Sequence, residues 1–145
     1  MKNGDLISQK FYSGGFLYNP QTKSVLLHQR DGNTKIEPHK WAFFGGLNEG
    51  NETPVECFIR ELEEEIGMSV SFNEVQDLCD YLNTKLNTHR YVFFVESLLT
   101  DTPHLILGEG AGFAWIPLEK VFEYDLTDKT RQDLEFFLQH KKDHP

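Results

Sequence analysis

Apolar and polar positions change their period along this chain, and the changes mark its elements. Residues 11–18 and 24–29 are rich in apolar and β-favouring side chains and flank the turn signal Asn19-Pro20-Gln21-Thr22, which predicts a pair of strands. A polar loop over 31–40 follows, then the short apolar strand Trp41-Ala42-Phe43-Phe44, which runs into Gly45-Gly46. From Thr53 to Ile66 the period turns helical, since Val55, Phe58, Ile59, Leu62 and Ile66 share one stripe at about 100° per residue. Thr53 reads as N-cap, Pro54 as first helical residue and Glu56 as partner in a capping box, with Gly67 as the stop. Strand signals return at 75–81, 90–99 and 112–116, separated by turn-prone Asn83, Asn87 and Thr102-Pro103. A last helix is expected over 128–139, capped by Thr127, with Leu134, Phe137 and Leu138 on its apolar side. Hairpin-length links among strands interspersed with two helices predict an α/β sandwich built on a mixed sheet.

Composition sharpens this. The 145 residues suit one domain over 1–145, large enough for a core without disulfides. Cys57 and Cys79 lack metal or redox spacing and read as reduced thiols, and the six histidines form no zinc motif. Runs such as Val92-Phe93-Phe94-Val95 fall far short of the ~20 residues of a spanning helix, so no membrane partner is expected. The first residues carry no apolar signal core, which predicts a cytoplasmic protein. A net charge of −9 disfavours duplex nucleic acid, whose binding rests on cations that replace its counterions. Nothing marks an exposed apolar patch, so the oligomeric state is unknown from sequence.

Four of the five residues from 61 to 65 are glutamates. Glu61, Glu64 and Glu65 stand at i, i+3 and i+4 and share a face, whereas Glu63 points elsewhere. A solvated acidic face, or one neutralised by Arg60, is one reading. A set of hard oxygen ligands for Mg²⁺ or Mn²⁺ is the other. The helix alone leaves both open.

Upstream spacing separates them. Gly46, five residues, Glu52, seven residues and then Arg60-Glu61-Leu62-Glu63-Glu64-Glu65-Ile66-Gly67-Met68 match every specified position of the box G-x5-E-x7-R-E-U-x-E-E-x-G-U, where U is a bulky apolar residue. On this box the chain resembles the Nudix hydrolase superfamily, and its length and element order resemble that family's α/β/α sandwich. Downstream, Glu109-Gly110-Ala111-Gly112-Phe113-Ala114-Trp115 keeps a spacing similar to that of MutT-like members acting on 8-oxo-dGTP.

The resemblance implies that Glu61, Glu64 and Glu65, with the backbone carbonyl of Gly46, are the metal ligands, and that the cofactor is Mg²⁺ or Mn²⁺. It implies an ion pair between Glu52 and Arg60 that supports the loop and orients Glu61, which places Arg60 with the catalytic set. The general base is Glu109, in its Gly-rich loop, or Glu64 within the box. Arg30, at the end of the second strand, lies where the family places a phosphate-binding arginine, and Phe43 or Trp115 could stack on a base. Lys40, His28 and Arg90 are further, unranked positions.

The implied reaction is metal-dependent hydrolysis of a phosphoanhydride in a small nucleoside diphosphate derivative. A nucleoside triphosphate, the oxidised 8-oxo-dGTP type included, would give monophosphate and pyrophosphate. The alternatives are a nucleoside diphosphate sugar of the ADP-ribose or GDP-mannose type, and a non-catalytic nucleotide-binding regulatory module. The chain has Phe44-Gly45-Gly46 where many members have Pro-Gly-Gly, and it lacks the marks associated with ADP-ribose and dinucleoside polyphosphate subfamilies.

Overall fold

A computed structural model describes residues 9–33, 35, 37–98 and 112–144. Within them lie seven strands and two α-helices: β1 (Phe11–Asn19), β2 (Ser24–Gln29), β3 (Trp41–Ala42), β4 (Phe44–Leu47), α1 (Pro54–Ile66), β5 (Val75–Asn83), β6 (Thr88–Glu96), β7 (Gly112–Pro117) and α2 (Asp128–Asp143). All seven strands join one sheet with the path β3-β2-β1-β6-β5, to which β4 adds along β1 and β7 along β2. The pairing of β1 with β6 is parallel and the others are antiparallel, so the sheet is mixed as expected.

Strand alternation sends successive side chains to opposite faces, and both faces are buried. Leu17, Leu26, Phe44 and Phe93 pack with Phe58, Leu62 and Ile66 of α1. On the other face Phe16, Tyr18, Leu27, Phe43 and Phe94 pack with Leu134 and Phe137 of α2. The result is the α/β/α sandwich. No helix of the described residues is long and apolar enough to cross a membrane.

The ends of α1 follow the sequence. The Thr53 side chain accepts from Glu56 N–H and the Glu56 carboxylate from Thr53 N–H, while Gly67 closes the helix at φ 68°. Its buried face, however, is rotated from the expected stripe. Cys57, Phe58, Leu62, Glu65 and Ile66 are buried, whereas Val55 and Ile59 are only partly so. The rotation turns the line through Cys57, Glu61 and Glu65 onto the Gly45–Gly46 segment.

The strand expected over 41–44 is in fact two. β3 pairs with β2, β4 crosses to pair with β1, and Phe43 at the break offers its carbonyl to His28 Nε2 at 2.9 Å. Since β2 takes only the end of β1, from Leu17 to Asn19, the earlier stretch from Tyr12 to Gly15 is open to β4. This pairing fixes Gly46 opposite Ser13, and Ser13 Oγ in turn donates to the Pro54 carbonyl at 2.6 Å. The loop and the start of α1 are thereby tied to one strand.

Candidate active site

Arg60 organises the acidic helix face. Its Nε donates to Glu52 Oε2 at 2.5 Å and its Nη2 to Glu52 Oε1 at 3.2 Å, a bidentate pair spanning the loop. Nη2 also donates to the Leu47 carbonyl at 3.2 Å. Nη1 lies between Glu61 Oε2 at 3.2 Å and Glu64 Oε2 at 3.0 Å, with Glu49 Oε2 at 3.5 Å. The Arg60 hydrogen bond holds the Glu52 carboxyl below the usual range, and Glu52 in turn raises Arg60. The ion pair expected between Glu52 and Arg60 is present.

Gly46 lies against Glu61 so closely that a Cβ there would stand 2.6 Å from Glu61 Oε2. Its carbonyl faces the Cys57 thiol, with Sγ at 3.7 Å. Burial pushes that thiol up to about 12, so it stays protonated and can donate.

Glu65 is the buried member of the trio, at 7% exposure. Its Oε2 accepts the Gly45 N–H at 2.9 Å, and its Oε1 is 3.9 Å from His28 Nε2. His28 stacks on Phe44, with ring centroids 5.1 Å apart. Burial pushes its imidazole down, and only an Nε2–H suits the carbonyl oxygen of Phe43. Glu63 faces away, accepting from Ser69 Oγ at 3.3 Å, as the helical phase predicts.

The donor set suits a hard divalent cation. Carboxylates of Glu61, Glu64 and Glu65 and the Gly46 carbonyl all offer hard oxygen donors, and the bare Cα of Gly46 leaves the cradle beside Glu61 that a Cβ would fill. Among the described residues, however, no three acidic, histidine or cysteine side chains gather tightly enough to hold an ion. Like charges at this spacing repel, and the carboxylates turn to two donors: Glu61 and Glu64 to Arg60, Glu65 to Gly45.

The remaining expected residues are scattered. Glu109 lies outside the described residues. Arg30 follows β2, partly buried, its backbone paired with Lys40 and His39. Lys40 lies 3.7 Å from Glu37 and 4.0 Å from Asp125, away from the box. Phe43 is 3% exposed and stacks on Phe16, so its ring belongs to the core on the α2 side. Trp115 packs on the α1 side, which separates it from Phe43 by the sheet.

Sequence reading gave no weight to Tyr12 and left His28 and Arg90 unranked. The signal for His28 was its place on β2 opposite the Phe43 break, which only the pairing reveals. Arg90, on β6, is 8% exposed and bonded to Asp133 of α2, and a buried arginine of this kind cannot be recognised from periodicity.

A model of the NUDIX domain matches residues 12–139. Among solved structures, the chain is similar to a MutT protein from Methanosarcina mazei Go1, with 21% identity, 91% of this chain and 94% of that one covered, and a TM-score of 0.69. It is similar to the ORF135 protein of E. coli, with 20% identity, coverage of 100% and 99%, and a TM-score of 0.71. A bifunctional NMN adenylyltransferase/ADP ribose pyrophosphatase from Francisella tularensis, complexed with AMP and Mn ion, matches at 19% identity over 91% of this chain and 42% of that one, with a TM-score of 0.71. At these identities the likeness is one of fold.

Proposed function

The chain belongs to the Nudix hydrolase family of pyrophosphohydrolases, and from that premise we propose that it hydrolyses a phosphoanhydride in a nucleoside diphosphate derivative, using Mg²⁺ or Mn²⁺. The favoured substrate is a nucleoside triphosphate, the oxidised 8-oxo-dGTP type included, giving monophosphate and pyrophosphate. A nucleoside diphosphate sugar is the second reading, favoured by the likeness in fold to the bifunctional NMN adenylyltransferase/ADP ribose pyrophosphatase.

The observation that carries the reading is the complete box folded as a unit: Gly46 against Glu61, and Arg60 clamped on Glu52 while reaching Glu61 and Glu64. A binding module without catalysis has no need for all three carboxylates. Glu61, Glu64, Glu65 and the Gly46 carbonyl would hold the cation. When bound, it supplies charge neutralisation at the phosphate oxygens and a lowered pKa for the attacking water.

The protein's own part is positioning. Arg60 holds the Glu61 carboxylate in place, and the Gly45 N–H fixes one oxygen of Glu65. Glu64, exposed and bonded to Arg60 among the described residues, would take a proton from the attacking water; Glu109 is the rival base. Arg30 would grip a substrate phosphate through its planar fork.

The test is a screen of the purified protein with Mg²⁺ or Mn²⁺ against nucleoside triphosphates, 8-oxo-dGTP, ADP-ribose, other nucleotide sugars and dinucleoside polyphosphates. Turnover abolished by EDTA on at least one of them is expected. No turnover on any of them overturns the reading.

A further inference from the structure

A buried polar chain on the α2 side of the sheet leads back to the candidate carboxylates. Asp133 of α2 is 1% exposed and accepts from Arg90 Nε at 2.9 Å and from the Tyr81 hydroxyl at 2.7 Å. The Arg90 guanidinium lies 4.5 Å from the centre of the Tyr12 ring. The hydroxyl end of Tyr12 rests on two glycines. A Cβ at Gly14 would stand 2.2 Å from the Tyr12 hydroxyl oxygen, and one at Gly45 would stand 2.7 Å from it. Gly45 is the residue whose N–H is given to Glu65.

Contacts therefore run without a gap from α2 through β6, β1 and β4 to α1. Burying the Arg90–Asp133 pair costs desolvation that apolar side chains would avoid, and burial raises the Asp133 carboxyl even beside a guanidinium. What the pair supplies instead is a fixed place for a planar cation over Tyr12. The Tyr12 hydroxyl is itself pushed up to about 12 by burial, with Arg90 opposing and Glu65, Asp133 and Glu61 adding to the rise, so it stays neutral.

We propose that Tyr12, clamped between the Arg90 guanidinium and the Gly14 and Gly45 backbone, is a positioning residue for the Gly45–Glu65 hydrogen bond and, through it, for the carboxylates that take the cation. This rests on the metal-dependent reading above.

The test compares Tyr12→Leu, Tyr12→Phe and Arg90→Lys by two readouts at a temperature where each is folded. One is solvent exchange of the Gly45 amide in ¹H–¹⁵N spectra, with Glu65→Gln as reference. The other is Mn²⁺ affinity, from the signal of free Mn²⁺ in electron paramagnetic resonance. Tyr12→Leu is expected to speed Gly45 exchange and weaken Mn²⁺ binding by about tenfold each, and Tyr12→Phe, which keeps the ring on Arg90 but loses the hydroxyl oxygen that meets Gly45, moves both readouts in the same direction by about threefold or more. Arg90→Lys keeps the charge but loses the planar stack, so it moves both readouts in the same direction, and it stands in if Tyr12→Leu does not fold. Exchange and affinity within about twofold of wild type in every folded variant, with only Tm lowered, reduce Tyr12 to core packing and overturn the proposal. A wild type that binds no Mn²⁺ overturns the metal reading instead, and leaves the amide measurement to decide the Tyr12 contact.

Discussion

Gly46 and Glu61 meet with no room for a side chain between them. A Cβ on Gly46 would lie 2.6 Å from Glu61 Oε2 and 3.0 Å from its Cδ. The obstacle is the far end of a flexible side chain, and Gly46 is not among the residues with positive φ, so an alanine strains little besides the carboxylate. Gly46→Ala is expected to unfold within about 1 kcal/mol of wild type while kcat/KM falls about tenfold or more. Denaturant melts beside steady-state kinetics check this. Unchanged kinetics would show that Glu61 need not stand where it does.

Arg60 serves Glu52, Glu61, Glu64 and Leu47 at once, which an ammonium cannot do. Arg60→Lys should cost about 1 kcal/mol of stability, the pair being partly exposed, but at least about tenfold in turnover. Glu52→Gln should act in the same direction. In a double-mutant cycle the two losses should fall short of additive, because both break one clamp. Strict additivity would separate the roles.

Partly buried His28 gives a pH signature. Burial lowers its folded-state value, so the folded protein favours neutral imidazole, and unfolding binds a proton as the pH drops below the ordinary value of about 6.5. The penalty is complete below the folded-state value and is relieved as pH rises towards 6.5. Stability of the wild type should therefore decline from near pH 6.5 towards pH 5, and His28→Gln, which takes no proton, should decline less over that window. Parallel curves from urea melts would contradict the assignment.

The Arg90–Asp133 pair should behave as a buried ion pair. Asp133→Ala leaves the guanidinium unpartnered and should cost about 3 kcal/mol or more, whereas the double variant Arg90→Met with Asp133→Leu should recover much of that loss. A double variant as unstable as Asp133→Ala would mean that shape, not charge, holds this site together.

What was legible in the sequence was local. Thr53, Pro54, Glu56 and Gly67 announce α1 by capping chemistry that depends on residues within one turn, and the structure reproduces it. Strand β2 is expected and found over the same residues, and the Glu52–Arg60 ion pair that the family resemblance implies is present. The illegible part is long-range. The division of Trp41-Ala42-Phe43-Phe44 between β3 and β4 depends on which edge of β1 is open. Burial of Glu65 rather than Val55 depends on how α1 rolls onto Gly45, and the Arg90–Asp133 contact joins residues 43 positions apart. Helical phase correctly set Glu63 apart from its neighbours, but it could not say that Arg60 would draw Glu61 and Glu64 while Gly45 took Glu65.

The most direct test of the hydrolase account is turnover by Glu64→Gln beside wild type, at saturating Mg²⁺ and on the best substrate from the screen. The account predicts metal-dependent release of a nucleoside monophosphate by wild type and a rate at least about 10²-fold lower in the variant. Equal rates in the two proteins would contradict it.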